Sequence, residues 1–429
     1  MLQVSNFVVV TSSGLQECHV TELLECHVND CNSAAGEITY GGRVIDDLDR
    51  RCLMSTLRRF YNPDVLSDTY CFTPSKIYIS QPEGRYISYV EYIKSLPSAE
   101  GPDVFGMHEN ANLTFQLNES SKILSMVASI QPRETSGGEG KSSDQIVAEV
   151  ADEILRGLPG ILKDVEGKST SVLGPDGQIS PLSVVLMQEC DRFNRLLNVI
   201  KLTLQELQRA IKGLVVMSSE LENMFTSFLK NQVPTLWTAV SYPSLKPLSS
   251  WVKDFHKRID FMCSWIKNGE PKCFWLPGFF FPQGFMTGAL QLHARKYQIP
   301  IDTLTFGFRV LDLENEEDVT SAPADGIYVS GLFLDGARWD RDLRCLAEAF
   351  PGEMYSKLPI VHFIPIVNYK PPADEYQCPL YKTHVRAGVL TTTGASSNFV
   401  LNVSLRIHPR TNPDFWILQG VALLCQIGK

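Results

Sequence analysis

The chain has 429 residues, of which 44% are hydrophobic and 20% charged, a composition that excludes a wholly disordered polymer and predicts two to four folded domains. Acidic residues outnumber basic ones, 48 to 39, so no overall positive field would draw it to nucleic acid or an anionic membrane. Eleven cysteines scattered along so long a sequence point to free thiols rather than a disulfide framework, and no apolar run reaches the roughly 18–20 residues that span a bilayer.

Residues 1–35 contain no Lys or Arg and carry Cys18, His19, Cys26, His27 and Cys31. The start lacks the charged region of a secretory signal, and the segment is expected to be a divergent, flexible leader at a cytosolic address. From Gly36 to about Leu96, charge clusters and paired aromatics predict a helical subdomain followed by a short extended piece, KIYIS. Pro97–Gly106 and Thr135–Ser143 are turn-rich and predict surface loops.

Ser143 is predicted to cap a helix over DQIVAEVADEILRGL, with Ile146, Val150, Ile154, Leu155 and Leu158 on its apolar face and Pro159-Gly160 ending it. Val184 to Gln232 lacks proline and repeats apolar residues at helical spacing, which predicts one very long helix or two joined near Gly213. Trp251–Ile266 predicts a helix with Trp251, Phe255, Ile259, Met262 and Ile266 inward, and Met286–Tyr297 another. After Pro300 the period falls to two in short segments bounded by Gly, Pro, Asn and Asp, the pattern of an antiparallel sheet or small barrel. Helices first and strands later make an α+β protein.

Most chemical motifs fail on spacing. GGEGKS at Gly137–Ser142 has Thr135 where a phosphate-binding loop needs its first glycine, so a solvated loop is expected and no nucleotide. The early Cys/His cluster lacks the tight knuckles of a zinc site, and His108-Glu109 has Asn112 where a zinc protease needs histidine. His293 and His362 read as packed or hydrogen-bonded groups, and Asp312–Asp318 lacks the glycine of a calcium loop. No catalytic, cofactor or metal residue is therefore assigned. Two other groups stand out. In YGGRVIDDLDRR, Asp46, Asp47 and Asp49 suit a helix N-terminus, Arg50 and Arg51 suit ion pairs, and Arg43 suits a reach to a phosphate or neighbouring subdomain. Trp275, Phe279, Phe280 and Phe281 are expected mostly buried where the helical half meets the strands, or else as docking aromatics.

These residues also carry a family likeness. GEITYGGRVIDDLDRRCL, FGMHENANL, MQECDRFNRLL, AIKGLVVMSSELE, YPSLKPLSSWV, FWLPGFFFPQGFMTGALQLHARKYQIPID, GIYVSGLFLDGARWD and NFVLNVSLRIHP together resemble the C-terminal end of a dynein heavy chain, most strongly of the axonemal branch. The resemblance implies that 36–115 is the helical lid of the sixth AAA module, 116–300 the helical part of the C-terminal domain and 301–429 its small antiparallel β-barrel. It implies a domain lying across one face of a motor ring, with Arg43 placed like a lid sensor arginine but structural, because the sixth module does not hydrolyse ATP. ATP and magnesium would belong to the parent motor. The implied partners are the rest of the ring and the dynein intermediate and light chains, with microtubules reached only through regions not present here, and the implied setting is cytoplasm, cytoskeleton and ciliary axoneme. Residues 1–35 show no such likeness, so a truncated product is expected. The alternative is a stand-alone module that binds dynein or ciliary subunits without motor activity.

Overall fold

Capping and apolar spacing account for the helices. The computed structural model describes residues 36, 44, 46–130, 142–162, 177–372, 374–386, 388–389 and 396–428; Arg43, the GGEGKS glycines with Lys141, and the early Cys/His cluster lie outside them. With 47% helix and 16% strand, the fold is α+β. Helix α1, Asp47–Phe60, starts on Asp46, whose carboxylate accepts hydrogen bonds from the amides of Leu48 (2.8 Å) and Asp49 (3.3 Å), and Asp47 and Asp49 sit in the positive first turn. Helix α2, Tyr86–Ser95, has no buried residue, and α3, Asn110–Ile130, follows.

Helix α4, Ser143–Gly157, begins at its predicted cap, and the true cap lies one residue earlier. Ser142 is the N-cap and forms a reciprocal capping box with Gln145. The buried face is Val147, Ala151 and Ile154, while Ile146 is 43% exposed. Of the predicted stripe, Ile154 is buried and Val150, Leu155 and Leu158 pack against the core, and only Ile146 is misplaced: its neighbour Val147 takes the inward position at the first turn.

That helix, α5, Pro181–Ile211, starts with proline at its first turn and runs 31 residues, about 46 Å at 1.5 Å per residue. It ends where the sequence allowed a break: Gly213 has φ +70°, and Leu214 N–H closes back on Arg209 O at 2.9 Å. Ser218 caps α6, Ser219–Leu229, and a short turn α7, Thr235–Thr238, leads to α8, Leu248–Asn268. All five residues predicted inward on α8 are buried. Helix α9, Pro282–Tyr297, begins four residues before its predicted start.

The strands are β1 Phe274–Trp275, β2 Leu304–Val310, β3 Ile327–Ser330, β4 Phe333–Asp335, β5 Ala337–Asp340, β6 Cys345–Glu348, β7 Tyr355–Lys357, β8 Val361–Val367, β9 Glu375–Tyr381, β10 Phe399–Arg406 and β11 Ala422–Leu424. Helix α10, Pro413–Leu418, interrupts them before β11. They pair as three sheets, β1-β3-β8-β2, β10-β9-β11-β4-β7 and β5-β6, rather than as the one barrel expected. Two of the pairs, β1–β3 and β11–β9, are parallel. Alternation along a strand reports which face is buried but carries no information on which neighbour it pairs with.

One apolar core runs from Val147 to Cys425, so the helices α4–α9 and the sheets fold as a continuous body. Neither α1 nor α2 contributes to it. The described cysteines are all free thiols. The α4 register gives a direct expectation: Val147→Ala should cost on the order of 2 kcal/mol through lost burial and a cavity, whereas Ile146→Ala should stay within about 0.5 kcal/mol. Urea denaturation of both variants checks this, and a larger loss at Ile146 would restore the sequence-based register.

Candidate functional site at the junction of the first helices and the sheets

The segment singled out for its charges does bridge two parts of the molecule, through Arg51. Arg51, Ser55 and Arg58 recur at spacings of four and three and so share one face of α1. Arg51 Nη1 donates to Gln377 O on β9 at 2.8 Å and Nη2 to the Tyr376 hydroxyl at 3.4 Å, with the guanidinium 5.3 Å from the Tyr376 ring centre. Ser55 Oγ donates to Asp414 Oδ1 (3.1 Å), and Arg58 Nη1 meets Asp414 Oδ2 (2.8 Å) at the start of α10. The Arg58 pair is largely exposed and contributes little on its own. Arg51 thus meets a carbonyl and an aromatic ring rather than the ion pair predicted, because β9 supplies no carboxylate at that point. Arg50 is exposed.

A second bolt lies two helices along, on α3. The buried Asn110 side chain, at the first residue of α3, donates from Nδ2 to Phe350 O and Glu353 O, both at 3.0 Å, and accepts from Gly352 N at 2.9 Å. Three backbone groups of the β6–β7 turn are satisfied by one amide. Gly106 sits between the bolts with φ +78°, and a Cβ there would lie 2.5 Å from Arg59 Nη1 and 3.0 Å from Leu418 Cβ, so only glycine lets the backbone pass this close to α10.

The predicted aromatics lie at a different junction. Trp275 and Phe279 are buried, at 8% and 3% exposure, and Phe280 is partly buried against the core. Phe281 is a correction: it is 43% exposed, since it precedes the first turn of α9 and turns outward, with Arg192 and Lys382 5.5 and 5.7 Å from its ring. Two buried charged groups that the sequence reading missed hold this segment. Glu189 of α5 accepts from the amides of Phe280 (2.6 Å) and Phe281 (3.2 Å) and pairs with Arg192 at 2.7 Å. Arg258 of α8, fully buried, pairs with Asp254 at 2.7 Å, reaches Phe279 O at 3.5 Å and lies 3.7 Å from the Tyr242 ring centre. Lys246 Nζ completes the cluster at 2.8 Å from Asp254. The signal that could have found Asp254 and Arg258 is their place, one turn apart, among the inward residues of α8, where a solvated face would not put them.

Burial raises the Glu189 carboxyl above its ordinary range despite the amides and Arg192, which favour the charged form. For Asp254 burial pulls the same way, but Arg258 and Lys246 outweigh it and hold the carboxyl below the usual range. His362 Nε2 contacts Asp325 O at 2.8 Å and His293 Nδ1 lies 3.8 Å from Asp325 Oδ1, which makes both packed groups, as expected. Among the described residues no cluster of three His, Cys, Asp or Glu is placed to hold a metal.

Two outcomes test this chemistry. Asn110→Ala should cost about 2–3 kcal/mol by stranding buried backbone groups, and Arg51→Ala should speed amide exchange in α1 while leaving α8 protected; equal loss of protection in both helices would mean the junction is not a separate unit. For Glu189, a raised folded pKa means stability present below the unfolded value near 4.5 and lost as pH rises through the folded value. Glu189→Gln should therefore gain on the wild type between pH 4 and pH 7 in denaturant titrations. A relative loss over that interval would show the ionised carboxylate to be the favoured form.

Comparison with known proteins divides the chain within α3. The family model for the C-terminal domain of the dynein heavy chain matches residues 117–425, and the one for the AAA lid domain of the dynein heavy chain matches residues 10–111, so the lid match begins inside the segment expected to be a leader. Human dynein axonemal heavy chain 6 is 46% identical over 415 residues, covering 92% of this sequence and 10% of that protein. Human dynein axonemal heavy chain 1 is 47% identical over 396 residues, 92% of this sequence and 9% of its own length, and mouse dynein axonemal heavy chain 3 is 45% identical over 394 residues, 91% and 9%. The protein described here thus spans about a tenth of the length of these curated relatives, at their C-terminal end. Helices α1 and α2 fall in the lid match, α3 runs across the gap between the two matches, and the helix-and-sheet body falls in the C-terminal-domain match; the chain belongs to the dynein heavy chain family, and the relatives named here are axonemal.

Proposed function

We propose that this protein is a non-catalytic structural and regulatory part of an axonemal dynein heavy chain, bracing the AAA ring of an ATP-driven, minus-end-directed microtubule motor in cilia or flagella. The observation that carries this reading is a continuous apolar stripe on one helix. The C-terminal body also exposes apolar side chains, Val216 and Leu343 among them, but α3 exposes Leu113, Leu117, Leu124 and Val127 at 40%, 52%, 69% and 49%. Their spacings of four, seven and three put them along one stripe of the helix. Tyr86, Ile87 and Ile93 on α2 are exposed at 82%, 64% and 59%. A stripe of this kind marks a surface made to be covered; three of its four residues lie in the C-terminal-domain match and Leu113 lies just before it, and in the parent motor the covering surface would be the rest of the ring.

On this reading the C-terminal body acts as a plate fixed to the lid by Arg51 and Asn110. Rigid attachment raises the cost of ring distortion and so shapes how a nucleotide event elsewhere reaches the moving parts. The segment needs no cofactor of its own, since ATP and magnesium act at modules outside it. Its partners are the rest of the ring and, through the assembled motor, the intermediate and light chains, in the cytoplasmic and axonemal cytoskeleton.

The test is made in a full-length axonemal motor that contains this segment. Leu117→Ser with Leu124→Ser should lower microtubule-stimulated ATPase and gliding velocity, while the 429-residue protein with the same changes keeps its thermal midpoint. Unchanged motility would remove the bracing role. Loss of light- or intermediate-chain binding with normal ATPase would favour the alternative, an interaction module.

A further inference from the structure

A cleft of about 930 Å³ opens between α8 and the loops that flank β3 and β4. The helix side presents Lys246, Lys253 and Lys257, and the sheet side presents Glu314, Glu316 and Glu317 with Lys357 at one end. Each side satisfies itself internally where it is satisfied at all: Lys246 pairs with Asp254 at 2.8 Å, Glu314 with Arg341, and Glu316 accepts from Ser330 Oγ at 2.7 Å. Among the described residues no ion pair crosses the cleft. Lys253 has no hydrogen bond or ion pair there, and Lys257 Nζ lies 4.1 Å from the centre of the Trp275 ring.

The floor between the two sides is tightly built. Gly331 has φ +82°, and a Cβ on it would lie 2.6 Å from Trp275 Cδ1 and 2.8 Å from Pro277 Cδ. The turn after β3 therefore rests directly on the indole, whose own position is set by the Arg258 cluster. The two charged sides are held apart by a packed floor and do not close on each other.

We propose that this cleft binds a short peptide segment of another polypeptide in which an acidic run adjoins a basic run, the acidic run against Lys253 and Lys257 and the basic run against Glu316 and Glu317. A polyanion would be drawn to the lysines but repelled by three glutamates, and a polycation the reverse. Only a ligand with several charges of each sign, in separate blocks, gains from both sides. The volume lies near the top of the usual range of roughly 300–1,000 Å³ for ligand clefts, more than a single small ion would occupy. Bringing such charges together in a partly enclosed cleft strengthens them relative to solvent-exposed pairs. The inference concerns a face separate from the α3 stripe and stands whether or not that stripe contacts a ring.

The probe is a fluorescein-labelled synthetic peptide with four acidic residues, a Gly-Ser spacer and four basic residues, titrated with the 429-residue protein at low salt and read by anisotropy. Saturable binding that weakens with added salt is expected. Lys253→Glu with Lys257→Glu should weaken it about tenfold or more, and Glu317→Lys about threefold. These side chains are exposed, so circular dichroism and melting should match the wild type; if the double reversal unfolds, Lys253→Gln with Lys257→Gln should still weaken binding. An all-acidic peptide of equal length that binds as tightly would overturn the proposal, leaving a plain anion patch. No saturation up to about 1 mM, a free energy of only about −4 kcal/mol, or binding indifferent to both sets of changes, would overturn it as well.

Discussion

The constraint on which the C-terminal body depends is the fully buried guanidinium of Arg258. A cation without solvent must be surrounded by partners, since an unpaired buried charge costs several kcal/mol or more. Asp254, Phe279 O and the faces of Tyr242 and Trp275 answer most of that demand from different parts of the sequence, with Nη2 left without a hydrogen-bond partner among the described residues. Each partner fixes a different segment: Asp254 belongs to α8 itself, Tyr242 to the loop before it, Phe279 and Trp275 to the stretch after it. Glu189 then ties α5 to the next two residues of the same stretch. Because Trp275 is also half of β1, which pairs with β3, the charge cluster positions the first sheet as well. Apolar packing would tolerate several arrangements of these aromatics; the directional bonds of a buried charge select one.

The lid is held by a different kind of force. Its helices α1 and α2 stay outside the common core, and hydrogen bonds link it to β9 through Arg51, to α10 through Ser55 and to the β6–β7 turn through Asn110. Polar bonds of this kind contribute about 1 kcal/mol each, more when charged, whereas the core is stabilised by continuous burial. The lid is therefore the part that opens first on a free-energy scale, and its orientation rests on few residues. Tyr376 is the bridge between the two regimes: buried, with its hydroxyl donating to Val421 O at 2.8 Å on one side and its ring facing Arg51 on the other.

The sequence was legible where one residue type serves one periodic face. The inward set of α8 and the break near Gly213 follow from spacing and from glycine alone. Legibility failed where local rules offered two equivalent answers. In α4 both Ile146 and Val147 begin acceptable apolar stripes, and only contact with α5 distinguishes them. In the strands, alternation predicted burial but not partners, so the parallel pairings and the three-sheet arrangement were invisible. The charged segment Asp46–Arg51 was correctly read as a helix start, yet the destination of Arg51, more than 300 positions away, had no local signature. Glu189 and Arg258 were hidden because a charge on a helix is ordinarily solvated; the clue lay in their neighbours, since each stands among residues whose spacing points inward.

The contrast between the two attachments bears on how such a segment would act inside a motor. A plate joined to its lid by a broad apolar interface would move with it as one body, and its influence would be purely steric. Here the joint is narrow, polar and anchored on α1 and on the first turn of α3, the helix that also presents the exposed apolar stripe. Covering that stripe loads α3 directly, and the first residue reached by the load is Asn110, which holds three backbone groups of the β6–β7 turn. In the proposed motor setting, displacement entering through the stripe would reach this amide before the rigid body behind it. A joint of that form resists small displacements, because all three bonds must weaken together, and yields abruptly beyond them, which gives the proposed brace a threshold rather than a graded stiffness.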